Sequence, residues 1–205
     1  MFSLDQLFAF VLYMSRKYKI DCSHSEMHSM DVLHYAHSIY EDEVKQFPFI
    51  KSHQNIIYTS AILHDMCDKK YLEPEVGLKE IQGFLETQLK PNEIHYTKEI
   101  MDTMSYSKVK VNGYPMLGNY DIAYHIVREA DLLASYNFDR AIVFDLHRGY
   151  PLKEAYFNSL ELFKDRVFNY NTNKLFISNY AQLKSVELQF SAINRIKTWN
   201  RLIKK

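Results

Sequence analysis

The stretch Asn55-Ile56-Ile57-Tyr58-Thr59-Ser60-Ala61-Ile62-Leu63-His64-Asp65-Met66 is rich in Ile and Ala and nearly all apolar until His64 and Asp65. That composition predicts a buried helix that ends in polar chemistry. Upstream, between about Glu26 and Val44, His28, Val32, Ala36 and Ile39 recur at helical steps of four, four and three, while Ser38, Glu41 and Asp42 take the other side. His28 therefore faces inward. Downstream, Asp121 to Tyr136 is again helical, with Ala123, Val127, Ala130 and Ala134 on one side and Asp131 one turn beyond Val127, so Asp131 can also reach the interior.

The remaining segments are read the same way. Leu7 to Met14 makes an amphipathic first helix, and Val76, Glu80 and Phe84 suggest another among Pro74, Gly77, Gly83 and Pro91. Asn92 can cap the next, which runs to about Tyr106. Ser107 to Asn119, with Asn112-Gly113 and Pro115, reads as a loop with room for a short hairpin, and no sheet is built from it. After Gly149-Tyr150-Pro151, one stripe of Tyr156, Leu160, Phe163 and Val167 and a second of Val186, Phe190 and Ile193 predict two long helices joined near Asn171 to Asn173. The expected fold is all-α: one domain over residues 1–205 of about eight helices, with a core at 21–140 and C-terminal helices at 152–205 packed as a hairpin.

Composition narrows the function classes. Lys and Arg number 25, Asp and Glu 25, and 47% of residues are apolar, so a packed core is expected and disorder is not. Balanced charge with a pI near 7.1 gives no long-range pull toward nucleic-acid polymers or anionic membranes. The apolar run Leu7 to Met14 is far shorter than the roughly 20 residues a membrane-spanning helix needs. No basic residues precede it and no small-residue cleavage site follows, so it does not read as a signal peptide. Cys22 and Cys67 are too few for a disulfide framework, which fits a reducing, cytoplasmic compartment. No glycine-rich GxxxxGK[ST] loop is present, which excludes a P-loop NTPase.

Three helices thus deliver inward-capable groups: His28, the pair His64-Asp65, and Asp131. Taken singly, an inward His is more often bonded to a backbone carbonyl and an inward Asp more often caps a helix. Two carboxylates in one core, however, need a cation. Their surroundings add order: Ser23, His24 and His28 match a run S-H-D-x-x-H, His64, Asp65, Asp68, Lys70 and Tyr71 match H-D-x-x-D-x-K-[FY], and Ser105 to Lys108 match S-[FY]-S-K. On these runs the chain resembles the HD-domain metal-dependent phosphohydrolases, and within them the bacterial branch with nucleotide pyrophosphohydrolase activity. Ser25 stands where the first run has an acidic residue, and Val127 to Ala134 keeps only the Ala-Asp of that branch's D-A-D-R-L-D-A.

The resemblance implies that His28, His64, Asp65 and Asp131 hold a divalent metal. Two imidazoles and two carboxylates suit Mn²⁺, Fe²⁺, Co²⁺ or Ni²⁺ better than Mg²⁺, with Zn²⁺ as a further candidate. An octahedral ion so held keeps about two positions open, one for a phosphate oxygen and one for a water made acidic enough to attack phosphorus in line. Asp65 and Asp68 are the candidate catalytic carboxylates, Asp68 positioning that water or protonating the leaving oxygen. Lys70 and Lys108 are candidates for offsetting phosphate charge. His24, four residues before His28, is a candidate substrate contact, second ligand or general acid, unless Ser23 caps the helix and leaves it in solvent. His34 and His37 read as ordinary helix residues, and the aromatic stripes of the last two helices as core or dimer surface. The expected function is a cytoplasmic phosphohydrolase acting on a phosphoester or phosphoanhydride of a small nucleotide, with a homodimer left open. The rival is a non-catalytic HD module that binds a nucleotide or partner around a structural metal. Phosphodiester cleavage or di-iron oxygenation in the same superfamily is a weaker third.

Overall fold

The computed structural model describes residues 3–21, 24, 26–66, 71 and 73–204. Among them are ten α-helices and no strand: α1 (Leu4–Tyr18), α2 (Glu26–Gln46), α3 (Gln54–Leu63), α4 (Pro74–Leu85), α5 (Pro91–Thr103), α6 (Tyr106–Asn112), α7 (Asp121–Ala134), α8 (Phe138–His147), α9 (Leu152–Asp165) and α10 (Asn179–Ile203). Short 3-10 segments precede α3 and α7 and follow α9. No helix of the described residues is long and apolar enough to cross a membrane. Cys22 and Cys67 lie outside the described residues.

The apolar run is α3, and its burial on all sides has a direct cause: it lies between two apolar clusters. Ile56, Ile57 and Ala61 belong to a large cluster with α2, α7, α8 and α9. Ile62 and Leu63 belong to a smaller one, completed by Leu7, Val11 and Met14 of α1 and by Ile81 and Leu85 of α4. A helix surrounded in this way has no polar face to keep, so its sequence shows little amphipathicity. The chain leaves α3 at His64 and Asp65, where the two clusters meet.

α7 is the second central helix. It packs against α2 and α3 on one side and α10 on the other, and Arg128 and Glu129 within it are both buried. Glu129 accepts from the backbone N–H groups of Ile177 at 2.7 Å and Ser178 at 3.1 Å and from Ser178 Oγ at 2.6 Å. It thus satisfies N–H groups at the start of α10, where Ser178 is the N-cap. Arg128 donates to Leu175 O at 2.6 Å and lies 3.2 Å from Glu129. Farther along α10, Arg195 and Trp199 both donate to Asp139 at the start of α8. These contacts fold the C-terminal helices back onto the core as the sequence pattern requires.

The helices beyond the expected number are α6 and α8. α6 occupies part of the stretch read as a loop: Ser105 Oγ caps it by accepting the Lys108 N–H at 3.4 Å, and Gly113, at φ 75°, ends it. α8 begins where Asn137 accepts from the Arg140 N–H at 3.2 Å and ends at Gly149, φ 86°, where the Tyr150 N–H reaches back to Asp145 O at 3.1 Å. α5 starts at Pro91 rather than being capped by Asn92. Proline needs no N–H partner there, and Glu93 reaches back to accept the Lys90 N–H at 2.8 Å.

Candidate metal centre

α2 opens at Glu26, which puts His28 on its first turn above the fully buried Val32, Ala36 and Ile39. The neighbouring Ser29, also fully buried, donates from Oγ to Ile62 O at 2.9 Å. Just past the end of α3, His64 Nδ1 lies 3.0 Å from Ala61 O. That bond places a proton on Nδ1 and leaves Nε2 to face inward, the arrangement of a metal-bound imidazole. α7 supplies Asp131 from the other side.

Four side chains converge. His28 Nε2 lies 3.2 Å from His64 Nε2 and 3.3 Å from both Asp65 Oδ2 and Asp131 Oδ1. His64 Nε2 is 3.4 Å and 3.6 Å from the same two oxygens. Donors around one ion with bonds of about 2.1 Å stand about 3.0 Å apart when cis on an octahedron and about 3.4 Å apart on a tetrahedron. His28, His64 and Asp65 thus present ligand atoms all within 4.8 Å of one another, a group able to hold one metal ion, and Asp131 stands beside both imidazoles. The imidazoles are almost fully buried and the carboxylates about one-fifth exposed, so the centre opens to one side.

The electrostatics suit a cation. Burial alone would push Asp65 and Asp131 up, but the imidazoles of His28 and His64 outweigh it and hold both carboxyls well below the usual range. Burial opposes charge on His64 as well, yet Asp65 and Asp131 raise it well above an ordinary imidazole. A field that favours a proton between these groups also favours a bound cation. Among the described residues His28 Nδ1 is buried without a hydrogen-bond partner, in contrast to His64. The donor set, two neutral nitrogens and two anionic oxygens, fits a first-row divalent metal.

A cleft of about 560 Å³ opens from this centre, within the range of small-molecule sites. The first turn of α6, residues Ser105 to Lys108, forms one wall, and Asn137, Arg140 and Phe144 of α8 with Arg166 and Tyr170 beyond α9 form another. His24 lines the cleft but is not among the converging donors. Its Nδ1 lies 3.0 Å from the Tyr71 hydroxyl, which donates to Asp21, and its ring stands edge-on to Phe144. Lys108 also lines the cleft, but its Nζ is paired with the Asp102 carboxylate at 2.6 Å. Asp68 and Lys70 lie outside the described residues. His34 is exposed and His37 bonds to Tyr58, as expected of ordinary helix residues.

Sequence reasoning missed Ser29, Ser135, Arg140, Arg166 and Tyr170. Ser135 carried a usable signal, since it caps the end of α7 one turn beyond Asp131. Arg166 carried none, because its place in the cleft depends on how α9 ends.

No family model and no curated protein matches this chain. Among solved structures it is similar to a Lactobacillus plantarum protein whose crystal structure was determined as a structural-genomics target, with a TM-score of 0.71, 20% identity and 98% of each chain covered. At that identity the likeness is one of fold, and it extends over nearly the full length of both chains.

Proposed function

We propose that this chain is an HD-type, metal-dependent phosphohydrolase of the cytoplasm that cleaves a phosphoester or phosphoanhydride bond of a small nucleotide. The observation that carries this reading is the convergence of two imidazole Nε2 atoms 3.2 Å apart with carboxylate oxygens of Asp65 and Asp131 each 3.3–3.6 Å from both, drawn from three places in the chain and lining one cleft.

When bound, a divalent ion supplies Lewis acidity toward a phosphoryl oxygen and makes water nucleophilic near neutral pH. The rest falls to the chain's own residues. His28, His64, Asp65 and Asp131 would hold the ion, and their two negative charges would leave the loaded centre close to neutral. Arg140 in the cleft wall adds positive charge that offsets the charge of a phosphate brought to it. Phe144 offers aromatic surface against which a base can lie. Hydrolysis forms one bond from water oxygen to phosphorus, breaks the bond to the leaving oxygen, and leaves a proton on that oxygen. His24, held by Tyr71 and Asp21 in the cleft wall, is the candidate to deliver it, alongside Asp68.

The test is elemental analysis of the purified protein, followed by phosphate and pyrophosphate release over nucleoside mono-, di- and triphosphates with Mn²⁺, Fe²⁺, Co²⁺, Ni²⁺, Mg²⁺ and Zn²⁺ in turn. Turnover that Asp65→Ala abolishes is the expected result. Absence of hydrolysis across the panel would overturn the catalytic reading, and nucleotide-induced thermal stabilisation without turnover would assign the non-catalytic role instead.

A further inference from the structure

Of the cations in the cleft wall, Lys108 is already neutralised by Asp102. Arg166 is placed differently. It directly follows α9, where its backbone (φ −128°, ψ −66°) leaves the helix, and its half-buried side chain lines the cleft. Nε donates to the Tyr170 hydroxyl at 2.8 Å, and the guanidinium carbon stands 4.4 Å from the centre of the Tyr106 ring. Among the described residues no carboxylate pairs with it, and its terminal N–H groups have no protein acceptor.

The position of this cation is fixed relative to the metal centre. The Tyr170 hydroxyl lies 3.3 Å from Ser135 Oγ, and Ser135 is one helical turn beyond Asp131. That path keeps the guanidinium on the order of 10 Å from the donor quartet. A guanidinium has five N–H donors in a rigid planar fork that matches phosphate oxygens two at a time. Here one donor is engaged, one face is covered by an aromatic ring, and the rest are left for a ligand. A half-buried charge without a counter-ion is costly, and an anion entering the cleft removes that cost.

The geometry points to Arg166 as the residue that binds the anionic end of the substrate remote from the reacting phosphorus, namely a second phosphate group. This rests on the phosphohydrolase reading for its use, though not for its chemistry. It makes Arg166 a specificity determinant favouring substrates with linked phosphates over monoesters. It also gives the first turn of α6 a role, since Tyr106 backs the guanidinium and keeps its fork oriented.

Inorganic pyrophosphate, titrated calorimetrically into protein kept in EDTA and again in Mn²⁺, tests the site. Wild-type protein and Asp65→Ala should both bind it, whereas Arg166→Met, which keeps an unbranched stem over Tyr106 but removes the charge, should bind roughly 10–100-fold more weakly. Arg166→Lys should fall between them. Arg166→Gln, which retains an N–H donor, replaces the Met variant if that one does not fold. On the best nucleotide substrate, Arg166→Met should raise KM by a similar factor with kcat within about threefold. Equal binding by the Met or Gln variant, or no binding by wild-type protein in either condition, overturns the assignment. Arg166-dependent binding with no turnover on any nucleotide would leave the anion site standing and remove the hydrolase reading.

Discussion

Ser29 Oγ donates a 2.9 Å hydrogen bond to the carbonyl of Ile62, tying the first turn of α2 to the last turn of α3 between the two imidazoles that face each other. Ile62 O lies near the end of α3, where no intrahelical N–H follows to donate to it, so the hydroxyl supplies the donor that helix ends lack. The separation of His28 from His64 is therefore set by a bond that neither histidine makes.

Ser29→Ala should cost about 1–2 kcal/mol in urea unfolding with EDTA present, because a buried carbonyl loses its donor. It should also weaken Mn²⁺ binding about tenfold, the usual effect of losing a group that positions ligands. Ser38→Ala, whose hydroxyl bonds within its own helix to His34 O, should change neither appreciably. Metal affinity unmoved by Ser29→Ala would show that the bond is merely stabilising.

Loading the centre should stabilise the fold. At a free ion concentration of 100 times Kd the gain is about 2.7 kcal/mol, or roughly 5–10 °C in Tm for a chain of this size. His64→Ala and Asp131→Asn should each abolish the rise, and elemental analysis should find them metal-free. A rise that survives either substitution would place the ion elsewhere.

Glu129 should prove to be the residue that holds α10 in place. Burial raises its pKa, with Ser178 and Arg128 opposing, and the carboxylate answers three donors of Ile177 and Ser178. Glu129→Ala strands those groups and Arg128, so a loss of about 3–5 kcal/mol is expected. Hydrogen exchange at Ile177 and Ser178 should speed up before exchange within α3 does, and uniform loss of protection across both helices would refute the assignment.

His125 should make the fold acid-sensitive. Burial, reinforced by the Arg128 guanidinium 3.4 Å from its Nδ1, pushes it down to about 4. An unfolded His titrates near 6.5, so between about pH 6.5 and 4 the unfolded chain binds a proton that the folded one refuses. Stability is therefore lost as pH falls through that window, by about 2–3 kcal/mol. Urea unfolding in EDTA at pH 7 and pH 4 should show this loss reduced in His125→Gln, and an identical acid loss in both proteins would exclude the histidine.

The sequence by itself determined the all-α class, the inward faces of α2 and α7 and the burial of α3, and it singled out His28, His64, Asp65 and Asp131 as candidates. The faces follow from helical periodicity, which is local, since residues three or four apart share a face whatever surrounds the helix, and the burial of α3 follows from its apolar composition. The short helices α6 and α8 escaped because their stability comes from Ser105 and Asn137 caps and glycine ends rather than from a repeated apolar stripe. Only the tertiary structure decided that Ser29 meets Ile62, that Glu129 meets Ser178, that Lys108 is paired with Asp102, and that Arg166 turns into the cleft against Tyr106 and Tyr170. Most of these contacts join separate elements, and Lys108 and Asp102 meet across the break between α5 and α6. Each depends on helix crossing angles and on where a helix stops, which are settled by packing between segments and leave no periodic mark in the chain.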